Sequence, residues 1–472
     1  MNSQPSPSFS SRLEIAVLIH VCVLVLSSSW IYGGNIWWIR PLLSAWASFG
    51  LLLTIAAFLQ PGDLGRDARR KSAWLIPWLI LTGLIVASSF NPSFFPIQIE
   101  GKIMFVHRGP DHPNWPSTVN PSTTLHQLWF SAGTYLAAFN LMLAVDSRRV
   151  LRRLLVFCTT SAVVLAVFGT IQKLSGLGYY FGSENSPNVR FFATFIYYNH
   201  WGAFMILWLA TGAGLIFYHA IRHNARDLWH SPFTVVAMGV LFMALTAPVS
   251  ASRSATGMAG LVVLIALAHA FSRIAAHRRA VNRPVWPPIV ALLLMISVTL
   301  AATGWLAHRS ISERYADTQK AMTTNKPFLS ERLELYKDTW KLAMQKPVFG
   351  WGLESYGTAF MLIRPRPLAE NRQYEASYMK AHSDWLQSVA ETGFVGTTLL
   401  MLMALIPLAS VTWRALRHPL VTYPLLGCAL IALYAWVEFP FANGAVLIAF
   451  WTLFFSAIRY AGLQRQSDSP EN

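Results

Sequence analysis

The sequence predicts an all-α polytopic membrane protein of about twelve transmembrane helices, with a long, partly helical loop between spans nine and ten. Three observations predict it. Hydrophobic residues make up 54% of the chain and charged ones only 12%, where soluble domains carry about 25% charged residues. Apolar runs near twenty residues recur along the chain, which is the length a helix needs to cross a bilayer. Basic residues cluster in short connections after every second run, the pattern of cytoplasmic loops. The runs are continuously apolar rather than alternating, which argues against a β-barrel. The net charge of +16 comes from 37 basic and 21 acidic residues, and its placement speaks for topology and not for nucleic-acid binding. Cys22, Cys158 and Cys428 all fall inside apolar runs, so no disulfide framework or thiolate metal site is readable.

The first twelve residues are polar and of low complexity, and are expected to be disordered in the cytoplasm. No small-residue cleavage site follows, so the first helix reads as uncleaved. Spans one to nine occupy 13–306, near 13–31, 38–59, 73–90, 125–145, 154–174, 197–218, 232–250, 255–271 and 287–306. A polar loop covers 307–392. Spans ten to twelve fill 393–459, near 393–411, 420–438 and 443–459, and 460–472 is a cytoplasmic tail.

Loop charge sets the orientation. Arg66, Arg69, Arg70 and Lys71 follow the second span, Arg148, Arg149, Arg152 and Arg153 the fourth, and Arg222 and Arg226 the sixth. Arg273, Arg278, Arg279 and Arg283 follow the eighth, and Arg414 and Arg417 the tenth. The positive-inside rule places these, and both termini, in the cytoplasm. The 91–124 and 307–392 loops then face outward. Glu14, Arg40, Lys173 and Glu438 lie near predicted span ends, where snorkelling is cheap, and no ionisable residue sits at mid-span. That weakens a transporter reading, as does the absence of a paired broken-helix repeat.

On the outer side three arginines stand out. Arg190 opens R-F-F-A-T-F-I-Y-Y-N-H, Arg253 lies in the tight S-A-S-R-S-A-T connection, and Arg332 lies on a predicted helix, E-R-L-E-L-Y-K-D-T-W-K-L-A-M. Ser330 reads as that helix's N-cap. Taken singly, each arginine reads as an interfacial anchor. Grouped, guanidinium ions suit a phosphate or diphosphate, which they hold through planar, paired hydrogen bonds. His382 precedes S-D-W-L-Q-S-V-A-E, where Asp384 and Gln387 approximate a capping pair. A histidine beside a helix N-terminus is biased towards neutral imidazole, which a general base requires; the plainer reading is a loop histidine with a structural hydrogen bond. His107 and His112 have no evident third partner for a metal. The glycines of P-V-F-G-W-G-L-E-S-Y-G follow a helix expected to end at Lys346, and imply a sharp turn or a close backbone approach. No phosphate-cradling glycine motif with its lysine is present.

Four of these stretches together resemble the O-antigen ligase and polymerase superfamily (Wzy_C type): R-F-F-A-T-F-I-Y-Y-N-H-W-G-A-F, S-A-S-R-S-A-T, R-L-E-L-Y-K-D-T-W-K-L-A-M-Q-K-P-V-F-G-W-G-L-E-S-Y and A-H-S-D-W-L-Q-S-V-A-E-T-G-F-V-G. The resemblance covers about 186–405 and implies a membrane glycosyltransferase that uses neither metal nor nucleotide. It implies a polyprenyl-diphosphate-linked glycan donor and a glycolipid or glycan acceptor, at the outer face of the bacterial inner membrane. Arg190, Arg332 and, more weakly, Arg253 are then implied to bind the donor diphosphate, and His382 to deprotonate the acceptor hydroxyl. Ser383 stands where the family commonly has Asn, and Ser252 to Ser254 read S-R-S for S-R-G. A repeat-unit polymerase and, from another class, a lipid or polysaccharide transporter remain open alternatives.

Overall fold

The computed structural model describes residues 9–99, 102–178, 188, 191–222, 232–250, 252–287, parts of 289–304, 328–364 and 379–468. The helices, in order, are α1 (Phe9–Trp30), α2 (Ile39–Phe58), α3 (Gly62–Lys71), α4 (Ile76–Ser89), α5 (Pro121–Ala144), α6 (Arg148–Leu174), α7 (Tyr198–Arg222), α8 (Pro232–Val249) and α9 (Arg253–Ala280). They continue with α10 (Phe328–Gln345), the single turn α11 (Tyr356–Ala359), α12 (Asp384–Leu408), α13 (Pro419–Tyr434) and α14 (Gly444–Asp468). Eight helices among the described residues are long and apolar enough to cross a membrane. The count of twelve is not reached. Val236–Val249 and Pro419–Tyr434 are shorter apolar helices. Pro121–Ala144 is long but diluted by Thr, His, Gln and Ser in its first two turns. The expected span at 287–306 falls mostly outside the described residues.

The all-α expectation needs one correction. Within the 91–124 connection, β1 (Phe94–Ile99) and β2 (Lys102–His107) form an antiparallel hairpin, pairing Phe94 with His107 and Ile97 with Met104. Its F-F-P-I-Q-I and K-I-M-F-V-H runs are rich in the β-branched and aromatic residues that favour strands.

Helices α7 and α14 are almost wholly buried at the centre of the bundle, whereas α9 turns most of its apolar side chains outward. Between α2 and α5, Asn140 donates to the Gly50 carbonyl (2.8 Å) and accepts from Thr54 Oγ1 (2.8 Å). Such bonds join apolar helices where hydrophobic contrast with lipid is lost. The basic α3 meets the C-terminal half of α14 at one end of the bundle, where Arg459 reaches Asp67 and Asp146. At the other end a second, smaller core joins the hairpin, α10, α11 and the start of α12 through Phe94, Leu335, Leu342, Trp351, Phe360 and Ala390. The described part of the polar loop is therefore a packed cap.

Two glycines fix that cap. Gly393 breaks α12 with φ +66° and ψ −174°, a backbone almost reserved for glycine. A Cβ there would stand 2.1 Å from the Val348 carbonyl oxygen. Gly350, at φ +69°, would place a Cβ 2.4 Å from the Glu391 backbone. The two glycine-bearing stretches thus interlock, with Trp351 N–H donating to Ala390 O (2.9 Å) and Phe394 N–H to Pro347 O (2.8 Å). The close approach expected of the glycines after Lys346 is observed at Gly350, and at Gly352 against Thr118.

Candidate active site

Helix α12 begins at an N-cap supplied by Ser383, whose Oγ accepts from Leu386 N–H (3.3 Å). The expected Asp384–Gln387 pair divides its work differently. Gln387 reaches back to accept from Ala381 N–H (3.1 Å), and Asp384 accepts from Phe441 N–H (2.8 Å). Between them His382 adopts φ +52°, a left-handed step uncommon outside glycine. Its carbonyl accepts from Tyr336 OH (3.0 Å) on α10. The backbone on both sides of the histidine is therefore held by named partners.

The imidazole meets a carboxylate. His382 Nδ1 lies 3.6 Å from Glu438 Oε2, just beyond hydrogen-bond distance, and both are buried atoms without a hydrogen-bond partner. Phe439 packs its ring edge-on against the imidazole, 4.8 Å between centroids. The other carboxylate oxygen, Oε1, accepts from Arg332 Nη2 (2.7 Å) and from Asn199 Nδ2 (3.1 Å). Arg332 also donates to the Val437 carbonyl (3.1 Å). Asn199 in turn accepts from Ser252 Oγ (2.7 Å), the cap of α9.

Electrostatics favours the charged forms. Burial by itself would raise the Glu438 carboxyl, but the imidazole facing it and the Arg332 guanidinium outweigh this and hold it below the ordinary glutamate value of 4.5. For Arg332, burial opposes the charge and Glu438 reverses that, leaving the guanidinium harder to deprotonate than usual. The Glu438 side chain is only 4% exposed, while His382 and Arg332 keep 33% and 25%. One face of this cluster is thus open to a reactant.

Three sequence stretches converge on this carboxylate, through Asn199, Arg332 and His382, and a fourth, at Ser252, is joined to it through Asn199. Residues 238–401 match the family model described as O-antigen ligase. That segment is similar to an O-antigen ligase domain. The match covers about a third of the chain, from α8 to the middle of α12, and includes Arg253, Arg332 and His382. No curated protein matches the sequence significantly.

Of the residues singled out from the sequence, the fold brings His382 and Arg332 together through Glu438, which lies beyond the matched segment. Arg253 opens α9 with an exposed side chain, one residue from the Ser252 cap. Arg190 lies outside the described residues. Helix α10 starts at Phe328, so Ser330 sits inside it and is not its cap. His107 packs against Phe94 and Trp351 (centroids 4.9 and 5.6 Å), and His112 lies beside Trp115.

Glu438 is the residue that sequence reasoning misplaced, as a snorkelling charge at the end of a span over 420–438. Helix α13 stops at Tyr434, and 435–439 turns back across the start of α12, with Asp384 N–H donating to Glu438 O (3.1 Å). Pro440 was the available signal, because it disfavours helix at the residue before it. So was the rule that a lone acid in an apolar run is functional by default.

Proposed function

We propose that the protein transfers a glycan from a polyprenyl-diphosphate carrier to an acceptor sugar hydroxyl at the outer face of the bacterial inner membrane. The observation that carries this is the convergence of His382 and Arg332 on one buried carboxylate. Neutral His382 takes the proton as the acceptor oxygen bonds to the sugar's anomeric carbon. The bond from that carbon to the diphosphate breaks, and the electron pair leaves on the diphosphate. Glu438 stabilises the imidazolium that forms, the part a buried carboxylate plays beside a catalytic histidine. Arg332, with Arg190 and Arg253, supplies positive charge for the leaving group. In this reading the hairpin end is periplasmic and both termini are cytoplasmic.

The test is His382→Ala in a host scored for surface glycan. Glycan attachment should be lost at normal protein levels. Unchanged attachment would remove the general-base role. Product analysis separates the ligase from the alternative of a repeat-unit polymerase: glycan on a lipid core in the first case, lengthened carrier-linked polymer in the second.

A further inference from the structure

At the α3 end of the bundle, opposite the His382 cluster, a cavity of about 200 Å³ opens between α3, α5, α14 and the segment that follows α12. Its wall carries Lys71 and Arg459, whose side chains are 14% and 3% exposed, and Asp67, which accepts from both. Ser410, Thr412 and Gly462 also line it and are exposed, so the cavity is open on their side. Glycan transfer at His382 uses none of these residues.

The hydrogen bonds of the two cations leave donors over. A guanidinium has five N–H groups and an ammonium three. Arg459 donates one to the Val145 carbonyl, one to Asp67 (3.2 Å) and one to Asp146 (3.3 Å). Lys71 donates to Asp67 (2.5 Å) and to the Met142 carbonyl (3.4 Å). Among the described residues, two N–H groups of Arg459 and one of Lys71 therefore remain beside the cavity. Thr412 Oγ1 accepts from Ala415 N–H (3.3 Å), which leaves its own proton to donate. Asp67, the carboxylate in the wall, is already held by both cations. Asp146 offsets Arg459 from outside the cavity, but α3 also carries Arg66, Arg69 and Arg70, all exposed, against Asp63. Cations thus outnumber carboxylates five to three around a wall of unused donors. Such a wall suits an anion rich in acceptor oxygens, which a phosphate is.

The surroundings decide which kind of phosphate. Helix α12 ends two residues before Ser410, and α4 begins two residues after Trp74, another residue of the cavity wall. Both helices turn apolar side chains outward near the cavity, with Leu405 55% and Ile76 52% exposed. Trp413, 75% exposed, follows Thr412 and precedes the exposed Arg414. Exposed tryptophan beside arginine, at the end of apolar helices, marks the headgroup level of a bilayer. We infer that this cavity binds the headgroup phosphate of an anionic phospholipid, whose acyl chains lie on the outward faces of α4 and α12. The lipid is not a substrate. It bridges α3, α14 and the end of α12 where Arg459 already joins the bundle, and it stabilises the fold by binding only the folded chain.

Native mass spectrometry of the full chain, released from nanodiscs of equal phosphatidylglycerol and phosphatidylcholine, tests this. Phosphatidylglycerol should be retained about tenfold more, since the choline cation meets a cationic wall. Gly462→Phe puts a ring at the mouth of the cavity, where a Cβ meets nothing within 4 Å. It should cut the retained phosphatidylglycerol by a similar factor in protein that still elutes as a single species. A phosphatidylglycerol carrying a diazirine beside its glycerol should label Trp74, Met142 or Ile458 in the unaltered chain, a readout that needs no variant. Equal retention of the two lipids, full retention by Gly462→Phe, or no label at those three residues would each overturn the assignment. Displacement of the lipid by inorganic phosphate alone would also overturn it, by making the cavity a site for a free anion.

Discussion

Each end of the bundle holds a buried arginine–carboxylate cluster, and the two are built to opposite standards. At the α3 end, Arg459 is 3% exposed, donates to the Val145 carbonyl, and pairs with Asp67 (3.2 Å) and Asp146 (3.3 Å); Lys71 shares Asp67. None of these four side chains leaves a buried polar atom unpartnered among the described residues. At the cap end, Arg332 and Asn199 saturate one oxygen of Glu438, while the other faces His382 Nδ1 without a hydrogen bond. Native proteins seldom leave buried polar atoms so, and those that persist ask for an explanation. The first cluster ties helices together. The second keeps an unspent interaction between a base and an acid, beside exposed surface.

Four substitutions put that division at risk. His382→Ala should lower glycan transfer by about 10²–10⁴-fold, the usual yield of general acid–base catalysis, with thermal unfolding in detergent little changed; a large stability loss would make the cap cluster structural after all. Arg459→Ala should do the reverse. It removes the buried guanidinium's bonds to Val145, Asp67 and Asp146, while the two carboxylates stay partly solvated and Lys71 still holds Asp67; the loss should be about 1–3 kcal/mol, read as a lower unfolding temperature and yield, while transfer per folded molecule is kept. Gly393→Ala should cost about 1–3 kcal/mol through its backbone alone, with further strain from the Val348 carbonyl. Limited proteolysis should then cut the cap while the bundle survives. The smallest effect concerns acid. Glu438 is held below 4.5 in the folded protein, so its contribution is present above that pH and is lost as pH falls through the lower folded value. Glu438→Gln should flatten this part of the stability–pH curve, seen by comparing unfolding temperatures of the two proteins across the acid range.

Membrane-crossing helices were legible because apolar length is a local signal. Helices such as Ile39–Phe58 and Tyr198–Arg222 fall where their apolar runs predict. The interlock of Gly350 and Gly393 was foreshadowed by glycines at a helix end, but their mutual fit was not, since it depends on a contact between residues over forty positions apart. The hairpin hid inside a loop because six-residue alternation is a weak signal beside twenty-residue apolar runs. His382 and Arg332 were visible as chemistry and invisible as neighbours. Glu438 was missed for a sharper reason: the apolar run through Trp436 and Val437 continues past the true end of α13, so a carboxylate that the chain bends inward looked like one pointing out.

The turn at 435–439 also orders events in time. Asn199, Arg332 and His382 all precede it in the chain, and Glu438 is the piece that joins them. During synthesis, with segments entering the bilayer from the N-terminal side, these three emerge without their shared carboxylate. A ribosome stalled after α12 would hold a cap already closed by its glycines around a histidine with no acid behind it. The cluster would be completed in one step, when the segment following α13 folds back beneath the cap.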